Sequence, residues 1–137
     1  MADRPVVILH RLAGSKKALD TCRLVEKLYL AGEKVVVWFQ DQGRAVIFDQ
    51  YLWTFSDTSF VPHRLVVGQE PVDEPVAIVV GELANPNGAS HLVVVELPKS
   101  LDGIRGFSHV HDLLVTGEER KEKWEALGYQ VEETKPA

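Results

Sequence analysis

His109 and His111 are the first residues in this chain that invite chemistry. They alternate along an apolar stretch, and side chains two apart on a strand point the same way. Asp112 stands beside them, so a metal is the chemistry to consider, imidazole and carboxylate being ordinary ligands. No third ligand is evident on that face, and the two read as surface or edge-strand histidines. Cys22, the one cysteine, cannot form an internal disulfide and falls on the apolar side of an expected helix. It reads as a buried, inert thiol with nothing nearby to activate it. The segment His10-Arg11-Leu12-Ala13-Gly14-Ser15-Lys16-Lys17 follows an apolar run, as a phosphate-binding loop would. It lacks the first glycine and the Gly-Lys-Ser/Thr ending of such loops, and the three-glycine dinucleotide fingerprint. Gly103-Ile104-Arg105-Gly106 has the GXXG spacing of KH loops but not their flanking helices, and reads as a turn. No Ser/His/Asp set or carboxylate pair assembles, so the sequence carries no positive sign of catalysis and no cofactor is expected.

The elements that position these residues follow from the apolar pattern. Residues 6–9, 35–39, 76–80 and 92–95 are apolar almost throughout. Such runs predict strands covered on both faces, as in a parallel sheet. Between the first two runs, Ala18, Cys22, Val25 and Tyr29 recur at helical spacing, with Leu19 and Leu28 widening the stripe. This predicts a helix over 15–31, capped by Ser15 and stopped by Gly32, in a right-handed strand-helix-strand unit. A second helix should start after Asp41 and turn Ala45, Phe48 and Leu52 inward. Residues 68–75 form an acidic, proline-marked loop, and 85–88 a turn. A more mixed strand is expected over 110–115, then a charged helix over 118–127 stopped by Gly128, then a last short strand at 129–131. No repeat or linker divides the chain. Residues 1–137 are therefore expected to form a single three-layer α/β domain, a mostly parallel twisted sheet with helices on both faces, and 132–137 to fray.

Composition narrows the function classes. The chain has 137 residues, 45% of them apolar, and a formal net charge of −5. A protein that lives on bare DNA needs a concentrated basic surface, and this balance argues against one. The run Glu118-Glu119-Arg120-Lys121-Glu122-Lys123 interleaves its signs and reads as a solvated helix face. The apolar run at 6–9 is too short for a signal peptide, and no stretch approaches membrane-spanning length. The cytoplasm is the expected location.

The most informative residues are Trp53 and the run Ser59-Phe60-Val61-Pro62-His63. Proline restricts the residue before it to extended backbone, so these large apolar groups sit on a stiff loop beside a helix end. With no catalytic group around them, they suggest a docking surface. Phe48-Asp49-Gln50-Tyr51-Leu52-Trp53, a five-residue gap, then Ser59-Phe60-Val61-Pro62-His63-Arg64-Leu65 closely resembles the signature of the chi subunit of bacterial DNA polymerase III. That signature reads Leu-Asp-x-x-Leu-Trp, the same gap, then Ser-Phe-Val-Pro-His-x-Leu. The likeness covers nearly the whole chain, more weakly after Leu97.

The resemblance implies a noncatalytic clamp-loader accessory protein with a nucleotide-binding-like topology that lacks a phosphate loop. Its implied partners are the psi subunit, or a substitute where psi is absent, and the acidic, phenylalanine-ended tail of single-stranded DNA-binding protein. Trp53 and Phe60, with Val61 and Pro62, would form the psi surface, which a helicase can share. Asp49 and His63 would be structural, a helix-end contact and a loop clasp. The family's tail site lies on the last helix, where three positions that are Arg, Tyr and Lys become Glu118, Lys121 and Glu122 here. Arg120, Lys123 and Trp124 offer a substitute cluster. The competing reading is a small α/β ligand-binding domain or enzyme using the C-terminal ends of its strands, near His10-Arg11, Gln40-Asp41 and Gly81-Glu82.

Overall fold

A computed structural model describes residues 4–13, 16–58, 60–66 and 70–134. Among these, seven strands form one sheet: β1 (Val6–Arg11), β2 (Val35–Phe39), β3 (His63–Val66), β4 (Val76–Val80), β5 (His91–Val94), β6 (His109–Leu114) and β7 (Val131–Thr134). Three α-helices join them: α1 (Lys17–Leu30), α2 (Gln42–Thr54) and α3 (Lys121–Ala126). The strand order is β3-β4-β2-β5-β6-β1-β7, and every pairing is parallel.

The continuous apolar runs become these strands because both faces of the sheet are covered. On one face α1 and α2 lay Cys22, Val25, Ala45, Phe48 and Leu52 over Val35, Val37, Ile78 and Val93. On the other, Val36, Trp38, Leu92 and Val110 lie beneath the connections between β4 and β6, a 3-10 turn (Ile104–Gly106) and α3. The result is the expected three-layer arrangement. No described helix is long and apolar enough to cross a membrane.

Local chemistry sets the element ends. The Asp41 carboxylate accepts a hydrogen bond from the Arg44 N–H at 3.0 Å, capping α2 as anticipated. Gly32 follows α1 at φ 84°, a backbone state that costs glycine nothing. Ser15, the expected cap of α1, lies outside the described residues, as do the loop residues 67–69.

Several expectations are corrected. The last helix is shorter than 118–127, because Glu118 turns back to accept from the Val115 N–H at 3.0 Å and from Lys17 at 2.7 Å. Residues 132–134 do not fray but pair with β1, covering what would otherwise be an open sheet edge. Residues 135–137 lie outside the described residues. The reading missed β3, an edge strand that begins directly after Pro62, where a missing N–H costs nothing. Finally, β6 is an interior strand between β5 and β1, so His109 and His111 are not on an edge; His111 is buried and His109 half-buried.

Candidate protein-docking site

The side chains around residue 60 are sorted by backbone alternation. After α2 the chain loops back to enter β3 in extended form, so successive side chains point to opposite sides. Val61 points into the core at 1% exposure, and Phe60 is 64% exposed. Pro62 is half-buried. Trp53, one residue from the end of α2, is 48% exposed, and its ring lies 5.4 Å from that of Phe60. Two large rings therefore touch each other on the outside of the domain. Val61 cannot meet a partner here, which corrects its place among the contact residues; it anchors the loop instead.

His63 makes this arrangement rigid. Its side chain is sealed from solvent, and its ring centroid lies 4.1 Å from that of Trp53. Nδ1 lies 2.7 Å from the Val61 carbonyl and Nε2 3.1 Å from the Asp49 carbonyl. The ring thus ties the loop to α2 and serves as a floor for the indole. This is the clasp that the sequence suggested, with Asp49 as its other jaw.

The second set of nominated residues is not a surface cluster. Trp124 is fully buried, and its indole N–H donates to Asp112 Oδ2 at 2.9 Å. Arg120 is buried too, reaching Asp112 with Nε at 2.7 Å and Nη2 at 2.6 Å. Its Nη2 also donates to the Val95 carbonyl. Asp112 itself has no exposed surface, and a buried carboxylate requires such partners. Of the three, Lys123 alone is exposed. Glu118 links this network to Lys17 of α1, while Glu122 faces solvent.

A histidine relay that the sequence reading did not assemble crosses the α1 side of the sheet. His10 Nε2 lies 2.8 Å from His111 Nδ1, and His111 Nε2 lies 2.9 Å from His91 Nδ1. His91 Nε2 is 3.5 Å from Glu33, and His109 stacks on His91 with centroids 4.9 Å apart. His111 spends its two nitrogens on different neighbours, so they do not converge on one point. Among the described residues no group of three or more such side chains is placed to hold a metal. Burial, with the charge of Lys27, lowers the His10 pKa to about 4. Burial, with the neighbouring histidines, lowers His111 to about 3. Asp112 points through the sheet to the opposite face and belongs to the arginine network instead. Cys22 is fully buried, and burial pushes its thiol up to about 12, consistent with an inert core residue.

A hollow of about 500 Å³ does open at the ends of β2 and β4, bordered by Gln40, Glu82, Lys99, Ser100 and Asp102. Its mixed charges include no histidine or cysteine, and the histidines with lowered pKa do not line it.

The comparisons with known proteins agree with one another. Residues 5–127 match the family described as DNA polymerase III chi subunit, HolC. A probable DNA polymerase III subunit chi of Rickettsia prowazekii is 37% identical over 73 residues, which are 53% of this chain and 44% of that protein. The DNA polymerase III subunit chi of Pseudomonas aeruginosa is 33% identical over 95 residues, 69% of this chain and 63% of that one. The matched stretches thus span less than two thirds of either relative.

Proposed function

The chain belongs to the DNA polymerase III chi subunit family, and from that premise we propose that it is a noncatalytic replication adaptor that binds a psi-like clamp-loader partner through Trp53 and Phe60. The observation that carries this reading is the pair of touching, solvent-exposed rings on a loop pinned by Val61 and His63. Rigid aromatics lose little conformational freedom on binding, which is why such residues dominate interface energies. Pro62 stiffens the loop from within. The protein works in the cytoplasm, where replication proceeds.

The resemblance also implies a link to the acidic tail of single-stranded DNA-binding protein. With Arg120 and Trp124 committed to Asp112, that link needs residues other than these two. The test of the main reading is co-purification with the psi-like subunit of the same bacterium, or with whichever clamp-loader subunit replaces it. Trp53→Ala and Phe60→Ala are each expected to weaken capture by about 2 kcal/mol or more while circular dichroism stays unchanged. Full capture by the double variant would refute the reading.

A further inference from the structure

The partner's charge can be read from what frames the two rings, an inference that rests on the docking reading above. Asp57 is exposed on the loop between them, and Asp49 lies one helical turn before Trp53. In the strand register His63 is opposite Val76, so the exposed Asp73 and the half-buried Glu74 border the same end of the sheet. Arg64 and Glu74 pair with each other, Nε and Nη2 at 3.0 and 2.9 Å from the carboxylate, so their charges offset. Asp57 and Asp73, unpaired among the described residues, therefore set the sign at this end. Lys34, next to the start of β2, is the other described cation here. The carboxyl end of α2 adds its partial negative charge, and no basic residue in its last turn offsets it.

We infer that the segment docking on Trp53 and Phe60 presents apolar side chains flanked by lysines or arginines. Carboxylates at the rim of an apolar patch set orientation and speed encounter with a cationic partner. They also exclude the alternatives. A symmetric pair of this chain would set Asp57 and Asp73 of each copy against the like charges of the other. A nucleic acid would bring phosphates to the same carboxylates.

The experiment is selection of peptides from a random phage-displayed library on the full chain, discarding those that also bind a Trp53→Ala/Phe60→Ala variant. The retained peptides should carry aromatic or aliphatic residues flanked by lysine or arginine. Affinity of the best peptide, measured by fluorescence anisotropy, should fall about tenfold for an Asp57→Lys/Asp73→Lys variant and fall again with added salt. Circular dichroism should show that both variants stay folded. Retained peptides that are neutral or acidic, or an affinity indifferent to the charge reversal, would overturn the charge inference and leave the docking reading intact. If no peptide depends on the two rings, or if the rings instead drive self-association, both fall.

Discussion

His63 fills the space beneath Trp53 that the indole would otherwise take, and Val61 fills the core position next to Phe60. The two rings are therefore held outside by the residues that hold the loop. This separation of roles predicts an unequal response to mutation. Trp53→Ala and Phe60→Ala should change the unfolding free energy by less than about 1 kcal/mol, as partly exposed positions do. Val61→Ala, which opens a cavity, should cost roughly 2 kcal/mol in the same urea titrations. Equal losses at all three positions would mean that the rings belong to the core. Arg120 gives the opposite test. Removing it leaves Asp112 buried and unpaired, so Arg120→Ala should cost about 3–5 kcal/mol. An effect within about 0.5 kcal/mol would mark it instead as a surface residue free to bind a ligand. The exposure of Trp53 and Phe60 was legible through the family resemblance and not from the residues alone, since large aromatics are as often buried as exposed. The burial of Arg120 and Trp124 was not, because it depends on the last helix packing over β6, whose Asp112 faces them from below.

At the scale of elements, the histidine relay joins β1, β6 and β5 to the turn after α1. His10, His91 and His111 bind protons more weakly in the folded protein than the ordinary value of 6.5. Between pH 6.5 and the folded values of about 4 and 3, the unfolded chain therefore holds more protons. The folded state loses stability as pH falls through that window and is unaffected above it. Denaturation midpoints should drop from pH 7 to pH about 4.5 in the wild type, and less steeply in a His10→Gln/His111→Gln variant, whose amides can still donate and accept. Parallel slopes would assign the acid sensitivity to carboxylates instead. Half of this relay was legible: strand alternation put His109 and His111 on one face. His10 was missed because the first strand was read as ending at Leu9; extending the same alternation to His10 puts it on that face too. His91 escaped notice because it stands just before its apolar run. The relay also needs β1, β6 and β5 to be neighbours, and strand order is a long-range property that periodicity does not carry.

At the scale of the whole molecule, four of the seven parallel strands, β1, β2, β4 and β5, follow from apolar runs too continuous to border water. What the runs could not supply was β3 and the reach of β7, two short edge strands whose pairing supplies what their composition lacks. The acidic surface that follows from a net charge of −5 leads to a further expectation. The isolated protein should not retard a single-stranded oligonucleotide in a gel at low salt, where phosphate contacts are strongest. Retardation that weakens steeply with added salt would establish direct binding. The most direct test of the docking claim uses the three tryptophans, of which Trp38 and Trp124 are sealed in the core and Trp53 is not. With 5-fluorotryptophan incorporated and each fluorine resonance assigned by substitution, the psi-like subunit is titrated in. The account predicts that the Trp53 resonance shifts and saturates while those of Trp38 and Trp124 stay in place. Saturable binding that leaves the Trp53 resonance unmoved would contradict it.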